Sequence, residues 1–296
     1  MTDRLKDSKT FCMMPWLHMH AFADGRVYPC CFGDYHTPMG NLRENTMEEV
    51  WNNDSYKQLR KNMLNEKLSA VCKKCYEQES NGIFSLRNSI NQSHGKYVDE
   101  VEKTLEDGTH PEFKLRYWDV RFSNLCNFSC RSCSPVFSSN WYKEHVKMYG
   151  GKPKADDGRE LNVIEYAGRN KYDILEQMEP HFEYLDQIYF AGGEPLMIKE
   201  HKMFIEEIIR QGYQDKILLR YNSNGLLVDD DLIELWSKFK KVKFAISMDA
   251  SHERDEYIRY PTNFETVEKT LHLLDNTPDN IQTSLATAIQ IFNIKH

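Results

Sequence analysis

Nothing in the sequence is apolar for long enough to make a membrane-spanning helix. The N-terminus, MTDRLKDSKT, is polar and lacks the apolar core of a secretory signal. A cytoplasmic protein with no membrane partner is therefore expected. No long basic stripe is present and the formal charge is −7, so nucleic acid is not expected as a partner either. Lys238, Lys240, Lys241 and Lys243 straddle a helix end and a strand start and read as a solvated face. Internal repeats and low-complexity tracts are missing too, which sets aside solenoids and disordered tails.

What is present is 296 residues, 40% hydrophobic and 28% charged, enough for one large domain or two modest ones with packed cores. Eight cysteines are not expected to pair as disulfides in a reducing compartment. Seven of them fall into two groups with ligand-like spacing, which metal binding explains better than structural thiols do.

The denser group is Cys126, Cys130 and Cys133, a C-x3-C-x2-C run directly after an expected strand over residues 117–122. A four-iron cluster usually takes four cysteines. Three would leave one iron open to a substrate or cosubstrate. Zinc, closed by a histidine or a fourth cysteine, is the alternative that spacing alone leaves standing.

Residues 115–122, 187–190, 217–221, 242–247 and 281–289 read as short, β-rich, mostly apolar strands. Helical stripes lie between them: Phe204, Ile205, Ile208 and Ile209; Leu232, Ile233, Leu235 and Trp236; Val267, Leu271 and Leu274. Strand–helix alternation of this kind predicts an α/β fold, a parallel sheet or barrel with right-handed crossovers. Residues 150–170 form a polar insertion in the first crossover, a lid or a lining of the site. A polar stretch from Asn91 to His110 is expected to hold a short exposed helix and to act as a connector.

Loops at the strand ends carry the remaining signals. Ala191-Gly192-Gly193-Glu194-Pro195 follows the second strand, where two glycines let a backbone approach a ligand closely. An ordinary strand-to-helix turn is the plainer reading. Asn222, Ser223 and Asn224 end the third strand and Ser247 the fourth, positions that turn residues also fill. Arg259 reads as a surface salt bridge, with pairing to a carboxylate as the alternative.

The cysteine run with Gly192-Gly193-Glu194-Pro195 one strand later resembles the radical S-adenosylmethionine (radical SAM) enzymes. That resemblance implies a [4Fe–4S] cluster on Cys126, Cys130 and Cys133, with SAM on the open iron. It implies SAM contacts at Gly192, Gly193 and Glu194, and at Asn222, Asn224 and Ser247. Ser132 stands where the family has a bulky residue near the adenine. The family core usually has six strands in a partial barrel, and five are legible here. The sequence is thus either a piece of a longer chain or a shortened barrel.

The other group lies near the N-terminus: Cys12, Cys30 or its neighbour Cys31, and Cys72-x2-Cys75. A turn at Asp24-Gly25 leads into a strand expected to end at Cys30. Two short amphipathic helices carry Met47, Val50, Trp51, Tyr56, Leu59 and Met63, with capping boxes expected at Thr46/Glu49 and Ser55/Gln58. His18 and His20 share a face of an expected strand and read as core or surface histidines, with lining of the cluster or substrate cavity as the alternative. The set resembles the twitch domain, the shorter relative of the SPASM domain, here preceding the barrel. It implies an auxiliary cluster on Cys12, Cys30, Cys72 and Cys75, with Cys31 a spare thiol. Structural zinc is the alternative.

The expected organisation is a twitch domain over 1–90, a connector over 91–114 and a radical SAM core over 115–296. The expected function is reductive cleavage of SAM to a 5′-deoxyadenosyl radical that abstracts hydrogen, first from a peptide or protein and second from a small metabolite. The reductant would be a flavodoxin or ferredoxin. A non-catalytic iron–sulfur or zinc scaffold is the other class of reading.

Overall fold

The computed structural model describes residues 4–295. These form two compact units, residues 4–21 with 25–119 and residues 22–24 with 120–295. Among the described residues no helix is long and apolar enough to cross a membrane.

In the first unit β1 (His18–Ala21) pairs antiparallel with β2 (Arg26–Tyr28), and β2 pairs antiparallel with β3 (Gly40–Asn41). On its other side β1 runs parallel to β4 (Tyr117–Val120), with His18 opposite Tyr117 and His20 opposite Asp119. β2 stops two residues before Cys30, because Pro29 has no N–H to offer a ladder. The strand therefore delivers Cys30 onto a bend rather than carrying it.

Thr46 and Glu49 form the expected capping box on helix Met47–Trp51. The second expected box fails. Asn53 caps helix Asp54–Leu64, accepting from Tyr56 N at 3.0 Å, and Ser55 lies inside the first turn. Both residue types cap well; Asn53 wins because its Nδ2 also donates to Met39 O at 2.6 Å. The stretch from Asn91 holds the expected short helix, Val98–Val101, and is exposed on one side but anchored on the other. Helix Leu86–His94 runs through residue 90, and Asn91, His94, Val101 and His110 are buried. His18 and His20 are core residues: His18 Nδ1 lies 2.8 Å from Tyr117 O and His20 Nδ1 lies 2.7 Å from Asp119 Oδ2.

In the second unit β5 (Gln187–Phe190), β6 (Leu218–Ser223), β7 (Lys241–Ser247) and β8 (Ile281–Ala286) are parallel and adjacent in sequence order. Helices Lys199–Arg210, Asp230–Ser237 and Phe264–Leu274 make the crossovers. Phe190, Phe204, Tyr221, Trp236 and Phe244 are fully buried and meet ring to ring, Phe190 stacked on Tyr221 and the other pairs tilted or edge-on. These four strands and their crossovers make the expected partial (β/α) barrel. It matters for function because every loop singled out above sits at a strand's C-terminal end, where barrels build their sites.

Candidate active site

β4 runs into a loop, residues 121–140, that carries the three cysteines and ends at helix Trp141–Tyr149. The loop is folded onto itself by its own polar groups. Cys126 N donates to Ser139 Oγ at 3.2 Å, Ser139 N to Asn124 O at 2.8 Å, and Trp141 Nε1 to Cys130 O at 2.9 Å. Buried Asn124 ties the insertion 150–170 to it: Oδ1 accepts from Glu165 N at 2.8 Å, and Nδ2 donates to Pro135 O at 3.0 Å. The insertion thus braces the cysteine loop. It contributes none of the residues that line the cavity there.

The paired glycines have a neighbour that the sequence did not reveal. A Cβ on Gly193 would lie 2.1 Å from Leu125 O, inside contact distance, so the cysteine loop itself requires glycine here. Gly192 has φ 119, a conformation closed to side-chain-bearing residues. The two loops are laced together where they meet, with Glu194 N donating to Leu125 O at 2.7 Å.

Cys126, Cys130 and Cys133 line a cavity of about 350 Å³ together with Gly192, Gly193, Glu194, Asn222, Asn224 and Ser247. All nine positions taken from four separate loops therefore face one space. Glu194 is the hub. Its carboxylate accepts from Ser223 Oγ at 2.7 Å, Asn224 N at 2.8 Å and Leu196 N at 3.0 Å. Asn224 Nδ2 donates to Asn127 Oδ1 at 2.7 Å, closing the ring back to the cysteine loop. Burial pushes the Glu194 carboxyl up, opposed by those same hydrogen bonds.

Sequence reasoning missed four polar or aromatic walls of this cavity, Arg121, Phe128, Phe137 and Tyr189, and misplaced a fifth, Arg259. Arg259 is no surface residue. Its side chain is 14% exposed and its Nη1 donates at 3.1 Å to fully buried Asp249. Helix His252–Ile258 causes this, by burying Ile258 beside it and turning the next residue inward. Ser132 also lines the cavity, so the small residue leaves space where the family has bulk.

The donor set fits a cluster. Burial pushes the Cys126, Cys130 and Cys133 thiols up to about 11. Three thiolates here therefore need positive charge supplied by what they bind. They surround a space rather than converge on a point: among the described residues no three His, Cys, Asp or Glu side chains gather around a single ion.

In the first unit Cys12, Cys30, Cys72 and Cys75 line one small cavity of about 20 Å³, and Cys31 does not. Its other walls are apolar, among them Met14, Phe32, Met63 and Val71, except for Arg87. Burial pushes all four thiols up, Cys72 to about 12. Asn91 holds the chain on both sides of Cys12: Met13 N donates to its Oδ1 and its Nδ2 donates to Phe11 O, each at 3.0 Å. Four thiols are the number that a closed four-iron centre takes.

An α/β core with a three-thiol cavity at its strand ends, in a chain whose other unit carries a four-thiol pocket, defines a class of iron–sulfur protein with room for a cosubstrate. The family comparison agrees. The model described as the radical SAM superfamily matches residues 120–287, and the one described as the SPASM iron–sulfur cluster-binding domain matches residues 12–76. The chain belongs to the radical SAM superfamily. Its cofactors are accordingly a [4Fe–4S] cluster and SAM, with an auxiliary iron–sulfur cluster in the SPASM unit. No curated protein matches the chain. Among solved structures it is similar to anSMEcpe with bound AdoMet, at 19% identity over 58% of this chain and 44% of that one, with a TM-score of 0.41. It is also similar to Streptococcus suis SuiB bound to precursor peptide SuiA, at 13% identity over 81% and 52%, with a TM-score of 0.39. The chain spans less than half of the anSMEcpe chain and about half of SuiB.

Proposed function

We propose that this protein cleaves SAM reductively and uses the resulting radical to abstract hydrogen from a peptide or protein. The observation that carries the proposal is the single cavity shared by Cys126, Cys130, Cys133 and the Gly192-Gly193-Glu194, Asn222, Asn224 and Ser247 loops. When bound, the cluster and SAM supply one-electron cleavage of a carbon–sulfur bond and a 5′-deoxyadenosyl radical.

The chain's own residues do the holding. Cys126, Cys130 and Cys133 would hold the cluster, three thiols where four would close it, leaving room for SAM. Gly192 and Gly193 present backbone to the cosubstrate, and Glu194 offers a carboxylate already oriented by three hydrogen bonds. Asn222, Asn224 and Ser247 contribute polar contacts from β6 and β7. Cys12, Cys30, Cys72 and Cys75 would hold the auxiliary cluster; four thiols would close it to substrate, so its part would be electron relay or shaping of the site. A flavodoxin or ferredoxin delivers the electron. The peptidic substrate follows from the resemblance to twitch and SPASM enzymes, many of which modify peptides and proteins.

Anaerobic reconstitution with iron, sulfide, dithionite and SAM tests the first half of this reading. Formation of 5′-deoxyadenosine by the reconstituted protein, and its loss in Cys126→Ala, is the expected result. Full activity in that variant, or tightly held zinc without sulfide, sinks it. The substrate is tested by adding candidate peptides and following deuterium transfer into 5′-deoxyadenosine.

A further inference from the structure

Two peptide hydrogen bonds flank Cys130. Ser129 N donates to Tyr260 O at 2.6 Å, and Arg131 N donates to Ile258 O at 2.7 Å. The residue between those two carbonyls is Arg259. The Arg131 side chain strengthens the seam, with Nε donating to Tyr257 O at 3.3 Å and the guanidinium 4.7 Å from the Tyr257 ring centroid. Segment 257–260 is therefore fixed against the middle cysteine, and Arg259 and Cys130 line the same cavity.

Behind the guanidinium stands Asp249, fully buried and outside the lining of the cavity. It is locked in turn by Ala288 N, which donates to its Oδ1 at 2.8 Å. Asp249 takes Arg259 Nη1, whereas Arg259 Nε is buried and has no hydrogen-bond partner. A buried donor left unpaired is costly, and a cation held in place beside three thiols marks where an anionic acceptor belongs.

We propose that Arg259 is a positioning residue that sets the electrostatics of the three-cysteine site, placing a fixed cation and a free donor beside the sulfurs and raising the reduction potential of the cluster held there. This rests on the reading that Cys126, Cys130 and Cys133 hold a [4Fe–4S] cluster. Each thiolate adds negative charge, and each electron taken up adds more. A nearby cation and hydrogen bonds to sulfur favour the reduced state. Asp249 cancels part of the charge, but Arg259 lines the cavity with the three cysteines and Asp249 does not, so the guanidinium is the group that meets what the cavity holds.

The test is an EPR-monitored redox titration of the anaerobically reconstituted full chain as wild type, Arg259→Lys and Arg259→Gln, with iron content and thermal melting recorded alongside. Arg259→Gln is expected to titrate at a more negative midpoint than wild type at equal iron content. Arg259→Lys, which keeps the charge and guards against a folding failure of the first variant, falls between. Wild-type midpoints in both variants overturn the proposal. So does a variant that folds but does not hold the iron, since the segment would then be architectural only. If the wild type shows no reducible cluster, or one that persists in Cys126→Ala, the underlying reading fails first, and that result is distinct from any effect at position 259.

Discussion

The two cysteine pockets are built on one scheme with opposite outcomes. Each holds a cysteine by hydrogen bonds on both flanks: Asn91 grips the peptides either side of Cys12, and residues 258 and 260 grip those either side of Cys130. Each contains an arginine anchored by a carboxylate, Arg87 by Glu79 and Arg259 by Asp249. The first pocket adds a fourth thiol and closes with apolar walls. The second replaces it with Gly-Gly backbone, two asparagines and a serine, and encloses about 350 Å³ against about 20 Å³. One missing thiol and a polar wall separate a sealed four-thiol pocket from a cavity with room for a second molecule.

The largest break in this comparison comes from removing one cysteine on each side. Cys126→Ala is expected to reduce 5′-deoxyadenosine to background, while Cys72→Ala retains SAM cleavage in a single turnover. Each should lower iron from about eight to about four per chain. Equal loss of SAM cleavage in the two variants would abolish the division of labour.

Gly193→Ala probes the wall that replaces the fourth thiol. Its Cβ would lie 2.1 Å from Leu125 O, so the cysteine loop must shift. Overpacking of this kind costs about 1–3 kcal/mol, and misplacing reacting groups by about an ångström costs on the order of 10²-fold in rate. Gly82→Ala in the first unit is the control. It has φ 72 with nothing within 4 Å, so strain alone applies, about 1–2 kcal/mol. Urea unfolding and 5′-deoxyadenosine yield measure both; unchanged cleavage in Gly193→Ala would mean the contact does not position the cysteines.

A smaller effect is expected at the other flank. Asn91→Ala strands Met13 N and takes one of two donors from Phe11 O, which keeps Arg87 at 2.9 Å. The cost is about 1–3 kcal/mol, with iron lost from the first unit and none from the second. Iron retained in full would show that Asn91 is not needed to seat Cys12.

What could be read in advance was local. The spacing of Cys126, Cys130 and Cys133 and the Gly-Gly turn are each read within a few residues, and the structure sets both on one cavity; the alternation of strands and helices appears as the parallel sheet. What escaped depends on contacts between distant segments. Asn91 reaches Cys12 across most of the first unit, and Arg259 reaches Cys130 from well beyond the next three strands. Gly193 was legible as a close approach, but its neighbour, the Leu125 carbonyl, was not. At Ser55 two cap-forming residues competed and a contact with Met39 decided for Asn53. Local chemistry names the candidate ligands; long-range packing decides which charges surround them.

The last comparison concerns one buried imidazole in each unit. Burial lowers both His18 and His201 to about 3. His201 sits in the second core with Nε2 2.9 Å from the Tyr221 hydroxyl, so the neutral ring already has a partner. Because the folded value lies below the ordinary 6.5, the unfolded chain binds the proton first. The native state therefore keeps its full advantage above pH 6.5 and loses it as pH falls toward 3. Between pH 7 and 5.5 each ring should remove roughly 1 kcal/mol of unfolding free energy. Other groups titrate over the same range, so the measurement is a difference: urea unfolding of metal-free wild type and His201→Gln at both pH values. The variant should lose roughly 1 kcal/mol less than wild type on acidification. An identical loss in the two proteins would mean that His201 takes up its proton in the folded core, and that this ring does not contribute to acid sensitivity.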